Sequence, residues 1–212
     1  GETVNRLCAS GMSAVAQAMR AIKSGEGDLF IAGGVEGMSR GPYVISKAEN
    51  GFATDQKMYD SSFGWRFVNP EMEKTYGVEA MGKTAENLAE MYKISREEQD
   101  EFALKSQMKA KKAQESGRLA EEISDIAIPQ RKGDPILVNK DEFIKPNTTL
   151  EILGKLRAAF VKENGTVTAG NASGLNDGAA AMIIASGDAV KNYGLKPLAK
   201  IVCSAVVGVE PR

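Results

Sequence analysis

Thr3-Val4-Asn5-Arg6-Leu7-Cys8-Ala9-Ser10-Gly11-Met12 reads as the end of an extended segment that runs directly into a helix. Met12, Val15, Met19 and Ile22 follow at three- and four-residue spacing, the period that lines one face of an α-helix, and Gly25 stops the run. Asp28-Leu29-Phe30-Ile31-Ala32-Gly33-Gly34 comes next, a short apolar run closed by glycines, which reads as a buried strand. A helix feeding a buried strand predicts a layered α/β core.

Outward from this stretch the pattern changes. Residues 38–77 are glycines, prolines and scattered aromatics, including Phe63-Gly64-Trp65-Arg66-Phe67, which reads as a long excursion or a small subdomain. Helices are predicted over 84–92 and from Ser95, where Glu98 completes a capping box, to near Gly117. Short extended pieces at 125–128 and 136–138 precede an amphipathic stretch over 150–160. Core-like sequence resumes at Gly165, with a strand over 180–185, a short helix over 188–193 and a long apolar strand over 198–209. That last strand has no successor to cover it, and a lone strand is a poor end for a domain.

Composition narrows the function. With 212 residues, 42% apolar and 26% charged, the chain can build a globular core. The formal charge of −1, from 27 basic and 28 acidic residues spread along the chain, leaves no basic tract for a nucleic-acid backbone or an anionic bilayer. Cys8 and Cys203 are far apart, with no CxxC or Cys/His cluster, which argues against a disulfide framework and a structural zinc site. No apolar run is long enough to span a bilayer and no signal-peptide pattern is present, so a soluble protein of the reducing cytoplasm is expected, although a start at Gly1 is compatible with a removed targeting segment. The chain contains no histidine. An enzyme that relies on a Cys/His pair therefore cannot be made from these residues alone.

Cys8 is the first candidate for chemistry. A thiol at the start of a helix faces unpaired backbone N–H groups and the positive end of the helix dipole, which stabilise a thiolate, and the small residues after it leave room for a substrate. A cysteine merely packed at a helix start would look the same in sequence. Residues 168–178 are rich in Gly, Asn and Ser before a strand, where backbone N–H groups could approach a ligand, but neither a P-loop nor a dinucleotide fingerprint is present. As a bare pattern this is equally a structural turn. Arg66 could recognise a substrate carboxylate or simply lie at the surface of a satellite aromatic cluster. Cys203, in an apolar run, is expected to be buried and inert.

Taken together, four separated blocks resemble the thiolase family. Asn5-Arg6-Leu7-Cys8-Ala9-Ser10-Gly11-Met12 is similar to its nucleophile motif, and Ala32-Gly33-Gly34-Val35-Glu36-Gly37-Met38-Ser39 to the strand and turn that follow. Met81-Gly82-Lys83-Thr84-Ala85-Glu86-Asn87 and Gly170-Asn171-Ala172-Ser173-Gly174-Leu175-Asn176-Asp177-Gly178 resemble segments that border coenzyme A. The resemblance runs through essentially the whole chain. It implies two similar five-stranded α/β halves with an α+β loop domain inserted in the first. On that template residues 1–40 and 165–196 belong to the N-terminal core, 41–164 form the loop domain and 197–212 begin the C-terminal half, so the chain would be a partial thiolase fold.

The same resemblance implies an acyltransferase that cleaves or condenses 3-ketoacyl-CoA through an acyl-cysteine at Cys8. Met81, Phe160, Ala172, Ser173 and Leu175 match positions lining the coenzyme A pocket, and Lys145 falls where some relatives place an arginine near the nucleotide phosphates. Many thiolases have histidine where this chain has Ala80. Coenzyme A and acyl-CoA are then substrates, with no resident cofactor or metal, and the family usually forms homodimers or homotetramers. Phe63-Gly64-Trp65-Arg66-Phe67-Val68-Asn69-Pro70 resembles the 3-oxoadipyl-CoA thiolases of the β-ketoadipate route, which yield succinyl-CoA and acetyl-CoA and would give Arg66 a carboxylate to bind. The family's catalytic histidines and second reactive cysteine have no matching positions, and Cys203 is not that cysteine. The 212 residues alone are thus expected to turn over little or nothing. An acetoacetyl-CoA or fatty 3-ketoacyl-CoA thiolase, and a catalytically inactive structural or oligomerising fragment, are the alternatives.

Overall fold

The computed structural model describes residues 1–211. In chain order the elements are α1 (Ser10–Lys23), β1 (Leu29–Gly37), a 3-10 turn (Met38–Arg40), β2 (Tyr43–Ile45), β3 (Met58–Asp60), α2 (Pro70–Tyr76), α3 (Met81–Tyr92), α4 (Arg96–Glu115), β4 (Ile126–Ile128), β5 (Ile136–Val138), α5 (Leu150–Gly154), β6 (Asp177–Ala185) and α6 (Gly187–Asn192). They divide into two compact units, Gly1–Arg66 with Leu175–Pro211, and Phe67–Gly174. The boundaries fall at 66/67 and 174/175, where the sequence reading placed a loop domain over 41–164. The β2–β3 hairpin and Arg66 group with the first unit.

In the first unit α1 lies on an antiparallel pair, β1 and β6, with Leu29 opposite Ala185 and Gly37 opposite Asp177. Strand period two sends Phe30, Ala32 and Ile184 toward the helix. Ala18, Ala32 and Ile184 form the buried centre, with Ala14, Val15, Ile22 and Ile201 packed around it. The helix therefore meets the sheet through small residues, which allow close approach, while Met12 is left exposed. On the opposite face Ile31 and Ile183 stand directly across from each other and both are exposed, as is Val35. β1 is thus covered on one face only, where a strand buried on both faces was expected. It also runs past Gly33 and Gly34, because the small residues Ala179–Ala181 of β6 continue the ladder beside it.

The expected strand over 198–209 does not form: residues 198–211 take up no regular structure. A strand needs a hydrogen-bonding neighbour, and the sheet of β1 and β6 includes no third strand among the described residues. Leu198, Val202, Val207 and Val209 are largely exposed. Cys203 is exposed too, contrary to the expectation of a buried residue, because the strand that would have buried it is absent.

The second unit is built from capped helices. Asn69 accepts from the N–H groups of Glu71 and Met72, and Pro70 opens α2, a start signal inside the stretch read as irregular. Ser95 and Glu98 complete the capping box on α4, as the sequence predicts: the Glu98 N–H donates to the Ser95 hydroxyl at 3.1 Å, and the Ser95 N–H to the Glu98 carboxylate at 2.8 Å. β4 and β5 pair antiparallel, Ile126 opposite Val138. The helix begun at Leu150 stops at Gly154 and does not reach Phe160, because tertiary bonds claim the chain beyond it. The Arg96 guanidinium donates to the carbonyls of Leu153 and Leu156 at 2.7 and 3.0 Å, and Ala159 N–H donates to the Val167 carbonyl at 2.9 Å.

Candidate active site

Cys8 occupies the apex of a turn braced by short-range bonds. Asn5 Oδ1 accepts the Leu7 N–H at 2.9 Å, Ser10 Oγ accepts the Arg6 N–H at 2.8 Å, and the Ser10 hydroxyl donates to the Leu7 carbonyl at 2.6 Å. The Ala9 N–H closes onto the Arg6 carbonyl at 3.0 Å. Leu7 is held at φ +47°, a left-handed conformation that costs a branched residue about 1–2 kcal/mol and persists only where the surroundings enforce it. The result is an exposed thiol set immediately before α1. Among the described residues the Gly11 and Met12 N–H groups of the first helical turn have no protein acceptor, so two donors remain for an anion or oxyanion.

An open cavity of about 1180 Å³ in the first unit is lined by Cys8, by the Gly33–Gly37 end of β1, by Arg40 and by Arg66. The nucleophile candidate and the carboxylate-recognition candidate of the sequence reading thus share one cavity. The Arg66 guanidinium donates to the Gly64 carbonyl at 3.1 Å, which restrains the side chain while leaving other donors unused. Next in the chain to the lining residues Met38 and Gly178, Asp177 at the start of β6 accepts the Ser39 N–H at 2.9 Å and the Ser39 hydroxyl in a short bond. The Ser39 hydroxyl and N–H, followed by the Met38 N–H, outweigh the slight effect of burial and hold the Asp177 carboxyl below its ordinary range.

In the second unit the positions expected to border coenzyme A are linked through side chains. The Phe160 ring lies so close against Gly82, next to Met81, that a Cβ there would overlap it, so glycine is required at the start of α3. Met81 is exposed, and Ala172 and Ser173 are exposed at the end of the loop that follows β5 and α5. Gly174 lies against the Phe143 ring, over which the Lys145 ammonium sits at 5.8 Å, and the Lys145 N–H donates to Gln107 Oε1 of α4 at 2.7 Å. Leu175 is exposed and belongs to the first unit. Ala80, where many thiolases carry histidine, is the N-cap of α3 and supplies no capping side-chain bond.

Sequence reading missed what holds this loop. Glu86 of α3 is buried, and its carboxylate accepts from the N–H and hydroxyl of Thr166 and the N–H of Val167, all at 2.7–3.0 Å. Burial alone would raise its pKa. The N–H groups of Val167 and Thr166, the Thr166 hydroxyl and the charge of Lys83 outweigh burial and hold the carboxyl below the usual range. Asn171 Oδ1 takes the Thr168 N–H at 2.7 Å, while its amide donates to Asp100 and to the Thr166 carbonyl, each at 2.9 Å. Buried Asp100 pairs with Arg96 at 2.8 Å, the same arginine that terminates α5. The one sequence signal was a glutamate three positions from an alanine on a helix face that should be apolar. It becomes legible only when its partners, some 80 residues away, are known.

The chain also resembles known proteins. The family model described as thiolase, N-terminal domain, matches residues 1–188. The chain is 55% identical over 210 residues to a beta-ketoadipyl-CoA thiolase of Acinetobacter baylyi, covering 99% of this chain and 52% of that protein. It is 55% identical over 212 residues to the 3-oxoadipyl-CoA/3-oxo-5,6-dehydrosuberyl-CoA thiolase of Escherichia coli K12, covering 100% and 53%. The crystal structure of human mitochondrial 3-ketoacyl-CoA thiolase in complex with CoA superposes with a TM-score of 0.78 at 40% identity, covering 92% of this chain and 47% of that one. The chain spans about half the length of the curated relatives it matches. Its helix-on-sheet unit and its mixed helix-and-strand companion are parts of the thiolase fold, and the chain belongs to the thiolase family.

Proposed function

We propose that Cys8 is the acyl-accepting nucleophile of a thiolase whose substrate is a 3-oxoacyl-CoA ending in a carboxylate, 3-oxoadipyl-CoA in the first instance. The observation that carries this reading is the braced, exposed thiol in one cavity with Arg66, supported by the 55% identity to relatives named for that substrate. The Cys8 thiolate adds to the C3 keto carbonyl. The C2–C3 bond then breaks, its electron pair leaves as the acetyl-CoA enolate, and that enolate takes up a proton. The succinyl group remains on sulfur as a thioester until the thiol of coenzyme A displaces it, releasing succinyl-CoA and restoring Cys8. The free N–H groups of Gly11 and Met12 are suited to the first oxyanion. With no histidine in the 212 residues, we assign the proton transfer to a group outside them.

Met81, Phe160, Ala172, Ser173 and Leu175 would line the pantetheine arm, and Lys145 would attract the nucleotide phosphates as a point charge. The full-length protein would act as a homo-oligomer in a reducing cytoplasm. Free, exposed thiols at Cys8 and Cys203 fit that compartment, and among the described residues no helix is long and apolar enough to cross a membrane. The test is the intact mass of full-length protein mixed with 3-oxoadipyl-CoA without free coenzyme A. A succinyl adduct that disappears in Cys8→Ser, with thiolysis down by about 10⁴-fold or more, is the expected result. An unchanged adduct in that variant would refute the assignment. Greater turnover of acetoacetyl-CoA or a long 3-ketoacyl-CoA would move the enzyme to another branch of the family, and no adduct with any donor would leave a structural role.

A further inference from the structure

We infer that Arg40 is a second specificity-determining residue, forming with Arg66 a two-guanidinium subsite for the terminal carboxylate of the acyl chain. This inference rests on the reading of Cys8 as the acyl acceptor. Three observations carry it. First, Arg40 and Arg66 come from separate segments, the 3-10 turn after β1 and the loop after β3, yet line the same cavity as Cys8. Second, the turn that presents Arg40 is fastened on both sides. Ser39 is clamped to Asp177 by its N–H and hydroxyl. Gly41 packs directly against Ser62, whose hydroxyl would have to turn aside for any Cβ there, and the Ser61 N–H donates to the Pro42 carbonyl at 3.1 Å. Such fixation makes a charged group a recognition element, because little ordering remains to be done on binding.

Third, the charges are not consumed internally. Among the described residues the Arg40 guanidinium makes no hydrogen bond or ion pair, and Arg66 uses its guanidinium only on the Gly64 carbonyl. Glu36 is the only carboxylate lining the cavity and has no cationic partner there. Two guanidiniums against one carboxylate leave a positive excess in a largely apolar cavity that also holds the nucleophile. A ligand carboxylate would neutralise that excess, and a guanidinium fork suits its geometry. An acyl chain ending in a methyl group would gain nothing from either arginine.

The test compares full-length enzyme with its Arg40→Met and Arg40→Lys variants on 3-oxoadipyl-CoA and on 3-oxohexanoyl-CoA, which has the same carbon count but ends in methyl. Arg40→Met should lower the ratio of kcat/KM values, dicarboxylic over neutral, by about ten- to a hundredfold, mainly through KM. Arg40→Lys should recover part of it, since charge is kept while the fork is lost. A ratio unchanged in Arg40→Met, or both substrates failing equally in both variants, overturns the role of Arg40. A wild-type enzyme without preference for the dicarboxylic substrate overturns the underlying substrate reading, and a Cys8→Ser protein that still forms the adduct overturns the nucleophile, so the failures are distinguishable.

Discussion

The two units hold their candidate functional residues in different ways. In the first, the turn carrying Cys8 is built from bonds between residues two to four positions apart, Asn5 with Leu7 and Arg6 and Leu7 with Ser10. In the second, the loop leading to Ala172 and Ser173 is held by bonds across 57 to 81 residues, from Glu86, Asp100 and Arg96. A locally braced turn can keep its shape while its surroundings change. A loop hung on buried carboxylates shares the fate of the unit's core.

Removing a buried acceptor should show this contrast most strongly. Glu86→Ala strands the donors of Thr166 and Val167, and each buried, unpaired donor costs about 1–3 kcal/mol. We expect the second unit to lose roughly 3 kcal/mol in urea unfolding, with affinity for coenzyme A weakened and the reactivity of Cys8 toward a small thiol reagent unchanged. Equal loss at Cys8 would mean that the units do not respond separately. A pH series sharpens the same point. The Glu86 carboxyl titrates lower in the folded than in the unfolded state, so its contribution is complete above about pH 4.3 and is lost as pH falls from there through the folded value. Glu86→Gln should flatten that acid slope, and an unaltered slope would assign it to other carboxylates.

The smallest effect on stability belongs to the local turn. Ser10→Ala removes one acceptor and one donor around Leu7 at an exposed site, a loss of about 1 kcal/mol. Melting should hardly change, whereas acylation of Cys8 should slow several-fold as Leu7 relaxes from its left-handed conformation. A large fall in melting temperature with unaltered acylation would reverse the comparison.

Legibility followed the range of the interactions. The capping box of Ser95 and Glu98, the extended pieces that become β4 and β5 and the helix that starts just after Cys8 could be read because their signals lie among neighbouring residues, whereas the turn at Leu7 stands where an extended segment was expected. The helix begun at Leu150 was read too long, since its end is set by Arg96, more than 50 residues earlier. The strand over 198–209 was read from its apolar run, yet an apolar run reports a preference for burial and does not supply the hydrogen-bonding neighbour.

By itself, the sequence determined a helix-on-strand core, a cysteine placed just before α1 and the motif blocks of a thiolase. These rest on periodicity, caps and short-range bonds encoded within a few residues. Only the tertiary structure decided that Arg40 and Arg66 share a cavity with Cys8, that Phe160 closes on Gly82, and that buried Glu86 and Asp100 hold the loop from Thr166 to Asn171. A buried charge is tolerated only where distant donors converge on it, and no local pattern records where those donors will be.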